Sequence, residues 1–92
     1  MVHKKKLLTE YFEDVVLNRK TFELRKDEDN IQAGDVLILM EWDGKDYTGR
    51  TVYTDVTYVL RDVPQYGLMD GHCIIGIRVP HQCPYISSRG SR

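Results

Sequence analysis

The spacing of apolar residues predicts one short helix near the start of the chain. Phe12, Val15 and Val16 recur three and four positions apart, which places them on one face of a helix. Asn18 follows this segment, and Asn tolerates the left-handed backbone conformation that ends many helices. We therefore expect a helix over residues 10–17 with one apolar face.

A period of two predicts strands over much of the remaining chain. Residues 21–25 alternate polar and apolar side chains, and residues 50–60 alternate β-branched and aromatic ones. Residues 36–42 and 73–79 are almost continuously apolar, which is typical of strands buried on both faces. Turn-forming residues at 43–49 join two of these segments, so we expect the strands at 36–42 and 50–60 to form a long hairpin.

A small protein with at least four strands must protect or remove every exposed sheet edge, because exposed edges pair with other chains. A small closed barrel removes them. The pattern therefore predicts an α+β fold: a small β-barrel with one N-terminal helix packed on it and short additional helical turns. We expect this domain to occupy residues 1–80. Residues 81–92 contain little that could be buried, and we expect them to form a disordered tail.

Composition allows only one such domain. The chain has 92 residues, of which 41% are hydrophobic and 29% are charged, and this leaves no room for a second core. No apolar run approaches the roughly 18 residues that a membrane helix needs, and no apolar segment of the signal-peptide kind follows the basic residues 4–6. We expect a cytoplasmic monomer without a membrane partner.

Potential metal ligands are few and scattered. Cys73 and Cys83 lack the CxxC spacing of a zinc site, and we expect both to be thiols. His3, His72 and His81 are too far apart in sequence to indicate a metal centre. The sequence therefore predicts no metal and no cofactor.

The charges are sorted locally, although the net charge is only −1. Basic residues occur at 4–6, 19–20 and 25–26, and acidic residues at 27–29. A net charge near zero excludes a general attraction to nucleic acid, so any RNA contact must be local. The alternative is that these runs are ordinary solvated surface.

Three ionisable residues are candidates for a site where the predicted helix meets the strand at residues 21–25. Glu23 and Arg25 fall on one strand face, within about 7 Å of each other, and Lys20 precedes them. Arg can bind a carboxylate, a phosphate or a base edge through two hydrogen bonds, and a Lys near a carboxylate can serve as a general base or a phosphate partner. The alternative is a weak surface ion pair between Glu23 and Arg25.

The segment Asn18-Arg19-Lys20-Thr21-Phe22-Glu23-Leu24-Arg25 resembles the signature of the ASCH domain, Gly-x-Lys-x-x-Glu-x-Arg, with Asn in place of Gly. The resemblance implies a PUA-like β-barrel whose cleft accepts RNA or nucleosides. A narrower resemblance covers roughly residues 3 to 79 and includes Leu7-Leu8, Lys20-Thr21-Phe22-Glu23-Leu24-Arg25-Lys26, Gly34-Asp35, Glu41-Trp42, Tyr47-Thr48-Gly49-Arg50 and Gly76-Ile77. It relates the chain to a bacterial and phage family of ASCH-like proteins known as a domain of unknown function.

One departure from that family concerns the loop after the strand. The family favours an Asn-Asp-Arg run where this chain has Asp27-Glu28-Asp29. If this loop borders the cleft, its acidic side chains would repel a phosphate and favour an uncharged part of a ligand.

Some small ASCH proteins are amidohydrolases that remove the acetyl group from acetylated cytidine with a Lys, a neighbouring Thr nucleophile and a more C-terminal Glu. Lys20 and Thr21 match the first two positions, and the Lys would then take the proton of the Thr hydroxyl. The Glu has no match. Asp70 and His72 are the ionisable residues near the expected place.

Aromatic residues offer faces on which bases could stack. Trp42 and Tyr47 flank the hairpin turn, where they and Arg50 are candidates for ligand contact. The alternative for each aromatic residue is packing in the core or the hairpin.

Three functions follow from the sequence and the resemblance. The first is an RNA- or nucleotide-binding module whose cleft contains Lys20, Glu23 and Arg25. The second is a small amidohydrolase that acts on an acylated nucleoside through Lys20 and Thr21. The third is a protein-interaction domain in which the cleft is vestigial.

Overall fold

The structure is a computed structural model that describes residues 1–80. Its elements, in chain order, are β1 (Val2–Leu8), α1 (Thr9–Val16), β2 (Phe22–Lys26), β3 (Val36–Trp42), β4 (Tyr47–Arg61), a 3-10 turn (Pro64–Tyr66) and β5 (His72–Arg78). The predicted helix and the predicted strands are present. β1 was not predicted.

All five strands belong to one sheet, in the order β1-β3-β4-β5-β2. β1 runs parallel to β3, and each of the other neighbouring pairs is antiparallel. β1 and β2 are therefore the two edges of the sheet and run in opposite directions.

The sheet curls until these two edges face each other. The Arg25 guanidinium of β2 donates a hydrogen bond to the Lys6 carbonyl of β1, and the Lys5 ammonium forms an ion pair with Asp29. Within residues 1–80 no backbone hydrogen bond joins β1 to β2. The result is a half-barrel, and we call the gap between its edges the seam.

The concave side of the half-barrel contains the core. The helix buries Phe12, Val15 and Val16 there, which confirms the apolar face predicted from their spacing. Leu37 and Leu39 of β3 point to the same side and are fully buried. Helix α1 contacts β1 and β3, so it lies near the β1 side of the seam.

The predicted α+β fold with a closed β-barrel is wrong. The described part of the chain is mostly sheet, with one eight-residue helix and one 3-10 turn, and its sheet is open at the seam. The inference failed because closure is not the only protection for an edge: charged side chains also protect one. Lys4, Lys5 and Lys6 follow one another on β1, and Arg25 and Lys26 end β2.

β1 was missed because its sequence is dominated by charge. Only Leu7 is buried in this strand, while Lys4 and Lys6 are exposed. An edge strand needs apolar residues on one face alone, and His3 and Lys5 occupy two of the positions on that face. Pairing with the buried β3, from Val2 opposite Val36 to Leu8 opposite Trp42, makes this segment a strand.

No helix within the described residues is long and apolar enough to cross a membrane. The predicted disordered tail at residues 81–92 lies outside the described residues.

A buried carboxylate fastens the helix to the β3–β4 hairpin. Glu41 is only 2% exposed and accepts hydrogen bonds from Arg50 Nε at 2.8 Å, from Arg50 Nη2 at 2.9 Å and from Thr48 Oγ1 at 2.5 Å. The Arg50 guanidinium lies 4.7 Å from the centre of the Phe12 ring and reaches Glu13 on the helix at 3.5 Å. The hydrogen bonds from Arg50 lower the pKa of Glu41 to about 2, and the same contacts raise the pKa of Arg50.

We expect Glu41 to make the fold sensitive to acid. The folded-state pKa of about 2 lies below the usual value of 4.5, so this stabilisation is complete above about pH 5 and is lost as the pH falls from 4.5 to 2. The full shift corresponds to about 3 kcal/mol, and the half-exposed Arg50 reduces that contribution. Glu41→Gln should lower the free energy of unfolding at pH 7 and flatten its dependence on pH below 5, measured by urea denaturation.

Asp46→Asn is the matched control, because it removes an exposed carboxylate that forms no ion pair within residues 1–80. It should leave both the stability and its pH dependence close to those of the wild type. An equally steep loss of stability in acid for Glu41→Gln and the wild type would contradict the prediction.

Candidate functional site

A cleft of about 660 Å³ opens at the seam beside the helix. Its lining comes from both sheet edges, from the end of β3, from the helix and from the segment that follows the helix: Lys6, Leu7, Leu8, Tyr11, Lys20, Phe22, Glu23, Leu24, Arg25 and Trp42. We call it the seam cleft.

The alternation of β2 gives the seam cleft a floor and an outer wall. Glu23 points toward the interior and is 4% exposed, whereas Phe22 and Leu24 on either side of it point outward and are exposed. Successive side chains of a strand point to opposite faces, so the polar pattern predicted for residues 21–25 is present with its polar face turned inward. The floor of the cleft is therefore charged, and its wall is apolar.

Glu23 forms the centre of that floor. Its Oε1 accepts a hydrogen bond from Lys20 Nζ at 2.6 Å, and its Oε2 accepts from Arg25 Nε at 3.0 Å. Lys20 Nζ also donates to the Phe22 carbonyl at 2.8 Å. Two cations share one carboxylate, so the group carries one net positive charge. Because Glu23 is buried, its pairing with Arg25 is not the weak surface ion pair that the sequence analysis gave as the alternative.

The cations of the seam cleft also lie against aromatic rings. Lys6 Nζ is 3.8 Å from the centre of the Trp42 ring, and the Tyr47 ring meets Trp42 edge-on with centres 5.0 Å apart. Lys20 Nζ lies 4.8 Å from the centre of the Phe22 ring and 5.3 Å from that of Tyr11. Both sides of the cleft therefore combine an aromatic face with an ammonium group.

The hairpin supplies the Trp42 wall. The pairing of β3 with β4 shifts between Met40 and Trp42, and this irregularity sets Trp42 directly opposite Tyr47. Glu41, next to Trp42, is buried and bound to Arg50, which fixes the end of the strand. The same Glu41–Arg50 network that fastens the helix therefore also fixes the position of Trp42.

The structure brings together four of the seven residues that the sequence singled out. Lys20, Glu23, Arg25 and Trp42 line the seam cleft, and Tyr47 contacts the Trp42 ring edge-on. Arg50 does not line the cleft, because its guanidinium is held by Glu41 and stacks on Phe12.

Thr21 does not line the cleft either. Its side chain is exposed, and within the described chain no hydrogen bond joins its hydroxyl to Lys20. Lys20 instead donates to Glu23 and to the Phe22 carbonyl. The pair of nucleophile and base that a hydrolase would need is therefore not formed.

Sequence reasoning missed six of the ten lining residues of the cleft: Lys6, Leu7, Leu8, Tyr11, Phe22 and Leu24. Lys6 and Leu8 belong to β1, the strand that was not predicted. The alternation of residues 21–25 is typical of a half-buried strand with Phe22 and Leu24 on its apolar face, but Phe22 is 49% exposed. Alternation separates the two faces of a strand, and it does not say which face the core covers.

The acidic loop is largely neutralised by nearby cations. Arg61 donates to both carboxylate oxygens of Asp27, at 2.5 and 2.9 Å, and lowers the pKa of that group. Lys5 forms an ion pair with Asp29 and lowers its pKa as well. Glu28 is the third member of the run and forms no ion pair within residues 1–80. The repulsion expected from three adjacent carboxylates is correspondingly reduced.

No group of three or more His, Cys, Asp or Glu side chains that could hold a metal ion occurs in the described residues. Cys73 is buried, and burial raises the pKa of its thiol, which disfavours the reactive thiolate. Cys83 and His81 lie outside the described residues.

Comparisons with known proteins agree with the narrower resemblance. A family model described as a domain of unknown function, DUF3850, matches residues 2–77, which include every residue that lines the seam cleft. The chain is also 39% identical over 82 residues to an uncharacterized 12.9 kDa protein in the GpA 3′ region of Escherichia phage P2, covering 86% of this chain and 73% of that relative. These matches confirm the predicted relation to a family of unknown function with a phage member, and the chain belongs to the DUF3850 family.

Proposed function

We propose that this chain is a binding module for a nucleotide or for single-stranded RNA, and that the seam cleft receives the base. One observation carries the proposal. Ammonium groups lie over aromatic faces on both sides of the cleft, above a floor in which Lys20 and Arg25 share the buried Glu23.

The size and lining of the cleft suit such a ligand. A volume of about 660 Å³ falls within the range usual for small-molecule sites, and most of the wall is apolar. A nucleotide combines a flat aromatic ring with an anion, and base stacking on aromatic side chains is worth about 1–3 kcal/mol per base. The exposed Lys6 can exchange the face of Trp42 for a phosphate when a base takes its place.

The floor retains hydrogen-bond donors for a ligand. Lys20 uses two of its three N–H groups, on Glu23 and on the Phe22 carbonyl. Arg25 uses Nε and Nη2, and its Nη1 has no acceptor within residues 1–80. A phosphate or a carbonyl oxygen of a base could accept from these groups.

The resemblance to the ASCH signature supports the same proposal. The Lys, Glu and Arg of that pattern are Lys20, Glu23 and Arg25, and here all three line one cleft. A relation of this family to the ASCH group is therefore part of the proposal, although the sheet is not a closed barrel.

Binding fits the geometry better than hydrolysis does. Thr21 lies away from the cleft lining, and Lys20 is engaged with two acceptors instead of the Thr21 hydroxyl. The floor is built to hold cations in place, which is the requirement for anion binding.

We expect Lys20→Gln to weaken binding of nucleoside 5′-monophosphates by about tenfold or more, because a charge-assisted hydrogen bond contributes about 1.5–3 kcal/mol. Trp42 is the only tryptophan of the chain and lies in the cleft wall, so its fluorescence should be quenched when a base stacks there. The measurement is a fluorescence titration with the four monophosphates and with short single-stranded RNA.

Arg19→Gln is the matched control, since Arg19 is the neighbouring cation, is 70% exposed and lies outside the cleft lining. It should bind as the wild type does, and circular dichroism should show both variants folded. Unchanged Trp42 fluorescence and unchanged amide shifts of residues 18–26 at millimolar nucleotide and excess RNA would contradict the proposal. Capture of a protein through this face would then favour an interaction domain.

A further inference from the structure

We infer that the seam carries a second subsite, for a phosphodiester, and that the ligand is a strand of at least two nucleotides whose backbone continues along the seam. This inference rests on the proposed function and names the class of ligand. It starts from a second depression of about 340 Å³ on the far side of Arg25, lined by Lys5, Leu24, Arg25, Lys26, Glu28 and His72.

The two depressions adjoin each other. Leu24 and Arg25 line both, so a ligand that leaves the seam cleft past these side chains enters the second depression directly. Leu24 and Lys26 are two positions apart on the outward face of β2, a distance of about 7 Å. A group stacked in the seam cleft against Leu24 is therefore one strand repeat away from the backbone position that carries the Lys26 side chain.

The chemistry changes from one depression to the next. The seam cleft has aromatic walls, and the second depression has none of the aromatic rings described above. It contributes three cations, Lys5, Arg25 and Lys26, against the single carboxylate of Glu28. An aromatic pocket followed by a basic one is the arrangement that binds single strands, in which bases stack and the backbone follows the positive groove.

Lys26 is the cation most available to a phosphate. Lys5 is paired with Asp29, and Arg25 is paired with Glu23, whereas Lys26 is exposed and forms no ion pair in the part of the chain that the structure describes. It stands directly opposite His72 across the β2–β5 pair. Neutralisation of Asp27 by Arg61 and of Asp29 by Lys5 leaves Glu28 as the unpaired carboxylate at this depression.

The geometry also favours a single strand over a duplex. Arg25 bridges the seam to the Lys6 carbonyl, so its side chain narrows the groove at this point. The base that enters the seam cleft must also lie outside a duplex, because the neighbouring stacked bases cover both faces of a base inside one.

The test compares Lys26→Gln with Lys45→Gln, which removes an exposed lysine in the hairpin turn that lines neither depression. Both proteins and the wild type are titrated with a nucleoside, with its 5′-monophosphate, with single-stranded RNA hexamers and with inorganic pyrophosphate. Trp42 fluorescence and amide shifts at residues 24–28 and 72 are followed.

We expect Lys26→Gln to bind the nucleoside as the wild type does and to bind the hexamer about three- to tenfold more weakly. The slope of log K against log salt for the hexamer should become shallower by about 0.7, because one phosphate contact is lost. Lys45→Gln should change neither quantity.

Two results would overturn the inference and leave the proposed function standing. One is equal affinity of Lys26→Gln and Lys45→Gln for the hexamer, with nucleotide binding intact. The other is pyrophosphate that shifts the amide of Lys26 as strongly as the hexamer does, which would make the depression a site for free phosphate. Absence of any nucleoside or RNA response in the wild type would overturn both proposals together.

Discussion

The buried charge of Glu23 is the constraint on which the arrangement of the seam depends. A carboxylate removed from water needs cations or hydrogen-bond donors as partners. Here Lys20, which precedes β2, and Arg25, which lies on β2, are those partners. Arg25 in turn reaches across to the Lys6 carbonyl on the opposite edge. The edges are thereby linked through a long side chain instead of a backbone ladder, and the cleft lies at the gap that this side chain spans.

A second buried carboxylate holds the opposite wall. Glu41 binds Arg50 through two hydrogen bonds, and Arg50 lies on Phe12 of the helix. Trp42 follows Glu41 on the same strand, so the position of the aromatic wall depends on this structural network. Both sides of the seam cleft are therefore fixed by buried carboxylates with bound cations, and the exposed Lys6 lies next to Trp42.

Much of the candidate site was accessible from the sequence because its central residues are neighbours along the chain. Strand alternation alone brings Glu23 and Arg25 to one face of β2, and Lys20 lies just before that strand. Arg50 was placed in the site because it follows a turn, and turns often carry functional residues. Its real partner is Glu41, nine residues earlier, and no local pattern distinguishes an arginine that binds a ligand from one that holds a buried carboxylate.

The sequence by itself determined the helix with its apolar face and four of the five strands, because each depends on spacing along the chain, and its resemblance to known proteins indicated the family. It could not determine which face of the strand at Phe22–Lys26 is buried, that Val2–Leu8 is a strand, or whether the sheet closes. Those features depend on which strands become neighbours across long separations. Pairing of β1 with β3 turns a lysine-rich segment into an edge strand, and only that pairing brings Lys6 and Trp42 opposite β2 to form the cleft.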